Sequence, residues 1–343
     1  MFKNRKKAYV IAEVGSNHNG DLKIAKKLID KAKECGADAV KFQSWNTELF
    51  SKKVYIDNYF LGDDYRNRKD YSLKEIVKKF SLNKKQLLNL KGYCKKNKIQ
   101  FCTTPFSEKQ VSDIKEFKVP FIKIASMDIT NPRILKEAAK TGLYIILSTG
   151  FSSLFEISRA IEYLLKHGNN KICLLHCIGL YPPPSDTLIN LNNIKMLETA
   201  FGLPVGYSDH TTGTEISIAA ISLGAKVIEK HFTLDKKMFG WDHHMSITPK
   251  ELKDICHARD RISDALGSIK RTLSKQELSR RKEYRRSIII KKDLKKGTVL
   301  KDKDVDFRRP GTGIEPFDWD QIKGRKINKD IYEEHILTYK DLY

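Results

Sequence analysis

His210 and His231 each stand at the end of a short apolar run, Leu203–Ser208 and Lys226–Phe232, with a helix-like Ala/Ile/Leu segment between the runs. Each run has the length of a strand. Parallel strands would carry both imidazoles to the same carboxyl-terminal edge, with Asp209 and Glu229 as neighbouring carboxylates. Two histidines converging in that way suit a divalent metal. A histidine taken alone is more often a hydrogen-bonded structural residue, so the paired placement carries the argument. His243 and His244, which follow Asp242 in a Gly-Trp-Asp loop, suit either substrate contact or loop structure.

Other polar residues crowd the ends of apolar runs: Glu13 with Asn17 and His18 beyond it, Lys41 and Gln43, Thr103 and Thr104, and Lys123, Ser126 and Asp128. Ser148 and Thr149, His176 and Tyr181, Ser208 and Glu229 continue the set. Burying such a collection without a ligand costs several kcal/mol for each unpaired charge, so a ligand is expected to compensate it. Lys41 and Lys123 with three or four of the hydroxyls fit a phosphate, the lysines supplying charge and the hydroxyls donors. Taken singly, a serine or threonine here equally suits a strand-end cap, and a lysine a partner carboxylate.

The elements that must position these residues alternate along the chain. Strand-like runs at Ala8–Gly15, Ala39–Ser44, Gln100–Thr104, Phe121–Ser126, Leu143–Thr149 and Lys171–Cys177 precede the two already given. Between and after them lie amphipathic segments, among them Leu22–Cys35, Lys85–Lys96, Glu108–Phe117, Pro132–Thr141, Ser153–His167, Leu191–Phe201, Thr214–Leu223 and Pro249–Leu266. Eight parallel-type strands, each followed by a helix, predict a (β/α)8 TIM barrel over residues 1–267, with its active site on the carboxyl-terminal rim. A long insertion from Thr47 to Leu82, rich in Tyr, Asp and Lys, is expected to form a flap over that rim.

After Gly267 the pattern breaks into a basic linker or linker helix at 268–286, then a small β-rich module at 287–343 with Gly/Asp turns. So short a module forms a thin core by itself.

Composition bounds the function class. The chain of 343 residues is 40% hydrophobic and has no long apolar run, so no membrane association is expected. The basic then apolar amino terminus superficially resembles a secretory signal. Glu13 interrupts the apolar part and no cleavage-like site follows, so it reads as a first strand. Six cysteines without a CxxC pair fit reduced thiols in a cytoplasmic protein. The net charge of +22, from 64 basic and 42 acidic residues, raises the possibility of nucleic acid. The lysines instead fall on helix faces, as in Lys26-Lys27 and Lys95-Lys96, without interleaved aromatics, so no nucleic-acid partner is expected.

Residues 11–45, with TTPF at 103–106, KIAS at 123–126, ILSTG at 146–150, LLHCIGLYPPP at 174–184, GYSDHTTG at 206–213 and IEKHFTLDK at 228–236, resemble the sialic acid (N-acylneuraminate or nonulosonate) synthase family. The tail from Arg286 to Ile314 resembles that family's antifreeze-like SAF domain, so the likeness spans essentially the whole chain. The resemblance implies condensation of phosphoenolpyruvate (PEP) with an open-chain N-acylated hexosamine and water, giving a nine-carbon 2-keto-3-deoxy acid and phosphate. It implies His210 and His231 as ligands of Mn2+, or of Mg2+ or Co2+, with Glu229 and Asp128 alongside them in the catalytic set. It places PEP on Lys41, Thr104, Lys123, Ser126, Ser148 and Ser208. It places the sugar on Gln43, Asp128, Tyr181, Asp242 and Arg309, the last delivered across a domain-swapped homodimer.

The chain departs from the family pattern at Met127-Asp128, where many bacterial members carry Gly-Glu, at Gly179, often Asn, and in the bulky loop Gly240–His244. These departures bear on the sugar and leave legionaminate-type and neuraminate-type substrates open; the pseudaminate type matches less well. Two other classes remain as rivals: a Schiff-base aldolase on the same barrel, using Lys123 or Lys41, and a non-catalytic carbohydrate-binding protein.

Overall fold

The computed structural model describes residues 1–3, 5–57 and 72–343. Its parallel strands follow the apolar runs: β1 (Tyr9–Gly15), β2 (Ala39–Gln43), β3 (Gln100–Thr104), β4 (Phe121–Ile124), β5 (Tyr144–Ser148), β6 (Ile172–Cys177), β7 (Val205–Asp209) and β8 (Val227–His231). The helices of this part are α1 (Leu22–Glu34), α2 (Lys52–Asp57), α3 (Leu73–Phe80), α4 (Lys84–Lys96), α5 (Glu108–Phe117), α6 (Pro132–Lys140), α7 (Leu154–Lys166), α8 (Asn193–Phe201), α9 (Glu215–Ser222) and α10 (Pro249–Leu266). The ladder runs β3-β2-β1-β8-β7-β6-β5-β4, and β3 lies beside β4, so the sheet curls into the nearly closed barrel that the alternation predicts.

Short side-chain caps start the helices. Ser153 with Glu156 and Thr248 with Glu251 form reciprocal capping boxes, and Asn131 caps α6 ahead of Pro132. Because both faces of each strand are covered, the strands read as continuous apolar runs. Their two faces nonetheless have different fates. Val10, Ala12, Val40, Ile122, Leu147 and Leu174 join the outer core under the helices. Their alternates Tyr9, Ile11, Cys102, Phe121, Ile146, Leu175 and Val227 fill the barrel interior. Phe2 closes this inner plug, packing edge-on against Tyr9, Phe121 and Tyr144.

Within the insertion expected to form a flap, residues 58–71 lie outside the described residues. The flanks contain α2 and α3, two helices absent from the sequence reading. Helix α3 buries Leu73, Ile76, Val77 and Phe80, an i, i+3, i+4, i+7 stripe, in a cluster with Trp45. Trp241, from the loop after β8, packs on Trp45 at 4.9 Å and on Phe80 at 6.3 Å between ring centroids.

The chain divides into two compact units, Met1–Gly267 and Ser268–Tyr343. The second begins with α11 (Lys275–Tyr284), which buries none of its residues, so the basic stretch is a solvated helix. Then β9 (Ser287–Ile290) pairs antiparallel with β10 (Val305–Arg308), followed by the short α12 (Trp319–Ile322). Isolated bridges such as Ile289–Ile336 and Ile327–Leu342 wrap the remaining chain around Ile288, Ile290, Leu300, Ile314 and Leu337. Among the described residues no helix is long and apolar enough to cross a membrane, and all six cysteines are buried with free thiols.

Candidate active site

The period of two that builds the inner plug also selects which strand-end residues meet. One step above Ile11 is Glu13, opposite Lys41 in the β1–β2 register. Glu229 and Ser208 face each other in β7–β8. Lys41 Nζ lies 2.8 Å from Glu13 Oε2 and 3.8 Å from Glu229 Oε1, and Lys123 Nζ lies 3.6 Å from that same Glu229 oxygen. Two carboxylates and two ammoniums therefore make one buried charge layer. Lys41 donates to Thr104 Oγ1 at 3.0 Å, Lys123 to Ser148 Oγ at 2.6 Å, and Ser208 to Glu229 Oε1 at 3.1 Å. Above the layer opens a cavity of about 280 Å³, lined by all six residues expected to hold PEP, together with Gln43, Tyr181, Glu229 and both histidines.

The layer is electrostatically uneven. Burial pushes Glu13 up to about 7, with the Glu229 charge adding to the effect and Lys41 opposing it. At Glu229 burial also pushes upward, but Lys123 and Lys41 outweigh it and hold the carboxyl below its usual value. Burial lowers Lys123, and Lys41 reinforces that. Glu13 thus titrates near neutrality while Glu229 stays ionised, an arrangement with spare positive charge for an anion and one carboxyl able to exchange a proton. Gly15, at φ +52°, permits this crowding: a Cβ there would lie 3.2 Å from Glu13 Oε1 and 3.5 Å from both Asp242 Oδ2 and Gln43 Nε2.

The histidines stand at the other side of the cavity, with ring centroids 5.5 Å apart. His210 Nδ1 is 2.7 Å from Ile178 O. A carbonyl only accepts, so Nδ1 carries the proton and Nε2 is the nitrogen a metal would take. Burial pushes the ring's pKa down, but Cys177 and the Ile178 carbonyl outweigh it and raise it, so a bound ion would displace the Nε2 proton. His231 Nδ1 is buried without a hydrogen-bond partner, 3.6 Å from Asp242 Oδ2. Burial holds His231 well below the usual histidine range, with the His210 charge adding to it, so the ring stays in the neutral form that coordinates metals. Burial also pushes Asp242 up to about 6. Tyr181 stacks on His210 at 3.9 Å and meets His231 edge-on at 5.8 Å. The donor set fits a divalent ion with an open coordination shell. Among the described residues no group of three or more His, Cys, Asp or Glu is arranged to hold a metal, so water or substrate oxygens would complete it.

Several strand-end residues face the other way. Thr103 bonds Ser44 Oγ at 2.7 Å, Thr149 Oγ1 donates to Leu175 O at 2.9 Å, and His176 Nε2 sits 2.6 Å from Ile189 O. Each is one residue out of phase with the inward set, so the expectation that they meet substrate is corrected by strand parity. Asn17 Nδ2 donates to Phe232 O and Ser246 Oγ, while His243 bonds Thr233 Oγ1 at 2.7 Å and Asn19 Oδ1 at 3.1 Å. They brace the rim loops. Of the residues expected on the sugar, neither Asp128 nor Asp242 lines the cavity: Asp242 stands beside His231, while Asp128 Oδ1 accepts from Asn131 at 3.1 Å and its Oδ2 is buried without a partner. Arg309 belongs to the second unit, where it donates to Tyr284 O at 3.1 Å and lies 5.2 Å over the Tyr284 ring.

Cys177, Phe151 and Phe106 also line the cavity and were not selected from sequence, and Met127, singled out there only as a departure from the family pattern, lines it with them. Cys177 was detectable by parity, two positions beyond the inward Leu175; the three apolar residues lie past the strand ends, where no period applies.

A barrel whose rim gathers two buried lysines, two carboxylates and two histidines around one cavity has the make-up of a barrel enzyme. More narrowly, the chain belongs to the NeuB family, whose model matches residues 28–271, and residues 285–342 match the SAF domain. It is 42% identical to N,N'-diacetyllegionaminic acid synthase of Campylobacter jejuni, over 97% of this chain and 99% of that protein. It is also 42% identical to an uncharacterized protein of Methanocaldococcus jannaschii, over 97% of this chain and 94% of the other. The crystal structure of N-acetylneuraminic acid (sialic acid) synthetase from Leptospira borgpetersenii in complex with citrate superposes with a TM-score of 0.69 at 36% identity, covering 80% of this chain and 90% of that one.

Proposed function

We propose that this chain is a nonulosonate synthase that condenses PEP with an N-acylated hexosamine and water to a nine-carbon 2-keto-3-deoxy sugar acid and phosphate. The observation that carries the proposal is the junction in one buried cavity of Lys41 and Lys123, with their hydroxyl partners, and the His210–His231 pair. In this reading Lys41, Lys123, Thr104, Ser126, Ser148 and Ser208 hold the phosphate and carboxylate of PEP, with charge and donors already aimed into the cavity. A divalent ion, Mn2+ or alternatively Mg2+ or Co2+, held by His210 and His231 would supply Lewis-acid polarisation of the sugar's aldehyde oxygen.

PEP carbon 3 bonds to the aldehyde carbon, whose oxygen takes up a proton. Water adds to PEP carbon 2 and loses a proton, and the resulting tetrahedral centre expels phosphate by C–O cleavage, leaving the 2-keto acid. Glu13, titrating near 7, and Glu229, whose Oε2 has no hydrogen-bond partner, are the carboxyl groups placed to exchange those protons. Gln43 and Tyr181, which line the cavity, orient the sugar; Asp128, Asp242 and Arg309 are assigned to it on the family resemblance, Arg309 reaching the partner's barrel in a swapped homodimer. The identity to the Campylobacter enzyme supports a 2,4-diacetamido-trideoxyhexose as the sugar to test beside N-acetylmannosamine.

The test is phosphate release from PEP with Mn2+ and each of these sugars, with mannose as control and with and without EDTA. Release with one sugar, abolished by EDTA and by His210→Ala or His231→Ala in chains that keep their circular dichroism, is the expected result. Normal turnover in both variants would sink the metal assignment. Lys123, whose lowered pKa also suits a Schiff base, supports the aldolase as a second reading; borohydride trapping of pyruvate on Lys123 would select it instead.

A further inference from the structure

Asp209 and Lys230 face away from the cavity, outside the barrel wall, and stand opposite each other in the β7–β8 register. Neither lines the cavity, yet they are the chain neighbours of His210 and His231. Lys230 Nζ lies 2.6 Å from Asp209 Oδ2 and 2.8 Å from Thr211 O. Asp209 Oδ1 accepts from Thr211 N at 2.8 Å and Thr211 Oγ1 at 2.7 Å, and Asp209 Oδ2 also accepts from Ser217 Oγ, on α9, at 2.5 Å. The peptide of His210 is thus enclosed by bonds among Asp209, Thr211 and Lys230, while His231 is attached directly to Lys230.

Stability alone does not call for an ion pair at this place. Asp209 is 0% and Lys230 2% exposed. Well-packed apolar side chains of the same volume often serve a buried position as well or better, because two charges need not then be desolvated. What the ion pair supplies is directional bonds of fixed length across two strand ends, anchored to a helix. That is the requirement of two ligands that must share one ion.

We propose that Asp209 and Lys230, with Thr211 and Ser217, form a positioning clamp that sets the spacing of the His210 and His231 imidazoles and thereby the affinity of the site for a divalent ion. The inference rests on the two-histidine metal reading above. The clamp residues touch neither substrate nor ion; they act through the backbone that presents the two rings.

The experiment titrates Mn2+ alone into the metal-free full-length protein, following bound ion by electron paramagnetic resonance. PEP binding to the same metal-free samples is the control, since five of its six proposed contacts lie on or just beyond other strands and only Ser208 is on β7. Wild type is expected to bind Mn2+ at a site lost in His210→Ala. The double variant Asp209→Asn/Lys230→Met, which removes both charges together and leaves none unpaired, is expected to retain fold and PEP affinity while its Mn2+ affinity falls about ten- to a hundredfold. Ser217→Ala should give a smaller loss in the same direction, and Lys230→Arg a partial retention.

A folded double variant that binds Mn2+ as tightly as wild type overturns the clamp and leaves the metal reading standing. A wild-type chain that binds no Mn2+ overturns both. If the double variant loses PEP and Mn2+ binding together while Ser217→Ala matches wild type in both, the pair serves barrel stability and the clamp is refuted.

Discussion

At the scale of single residues, the cavity shows side chains compensating for one another. Gly179, where by the resemblance neuraminate-forming bacterial enzymes often carry Asn, has the Phe151 ring against it: a Cβ built there would lie 2.0 Å from that ring. Phe151 holds a positive φ of 59° and is 74% exposed, an unusual state for a large side chain, and its ring fills the space the missing side chain leaves. Gly179→Asn alone must displace that ring, and because the ring is the exposed tip of a side chain that can turn aside, the change falls on the shape of the cavity rather than on stability. It is expected to raise the KM for PEP roughly tenfold, and Phe151→Ala in the same chain should recover most of the loss. Steady-state kinetics of both single variants and the double variant check this; additive effects would show that ring and glycine are independent.

At the scale of elements, the close approach of β7 and β8 is what brings the histidine-bearing ends together. Gly206 permits it: a Cβ there would fall 2.4 Å from Val227 O and 2.7 Å from Val227 Cβ. Gly206→Ala therefore pushes the strands apart and is expected to cost about 1–3 kcal/mol in urea unfolding; an unchanged midpoint would show that the strands yield freely. In the second unit Asp341 ties the last turn together, with Lys329 Nζ at 2.7 Å, His335 Nε2 at 3.0 Å and donation from Thr338 N at 2.8 Å. Burial pushes its carboxyl up, but these partners outweigh it and hold it well below the usual carboxylate range. A depressed folded value means stability present above the unfolded pKa of about 3.9 and lost as pH falls through the folded value. Asp341→Asn should destabilise this unit by about 2 kcal/mol at pH 7, measured by hydrogen exchange of the β9 amides. The gap to wild type should stay level down to about pH 5 and close only below about pH 4; a gap that closes between pH 7 and 5 would assign it to another group.

At the scale of the whole molecule, the proposed function assigns Arg309, a residue of the second unit, to the barrel of a partner chain. The proposed swapped homodimer makes a sharp prediction. Mixing His210→Ala chains with Arg309→Ala chains, after reversible dissociation, should create heterodimers in which one site has an intact barrel and an intact arginine. At subsaturating sugar the mixture should recover roughly a quarter of wild-type activity, half the dimers being mixed and each having one whole site. If Arg309 serves its own chain's barrel, mixing recovers nothing beyond the residual activity of the Arg309→Ala chains.

The sequence by itself determined the barrel and much of its rim. Strand and helix periods are written in neighbouring residues, so the eight runs were legible, with β3 spanning Gln100–Thr104 as read and β1 starting one residue later, at Tyr9. The same period of two, applied strictly, would have excluded Thr103, Thr149 and His176 from the site and admitted Cys177. The stripe of α3 was equally local, hidden only by the Tyr/Asp/Lys-rich composition around it. Tertiary structure decided the rest. Glu13, Lys41, Lys123 and Glu229 come from four strands and become one charge layer only when the barrel closes; the near-neutral titration of Glu13 follows from that burial. The Gly179–Phe151 fit and the Asp209–Lys230 contact likewise join segments whose meeting depends on how the strand ends converge, a long-range outcome that no local pattern encodes.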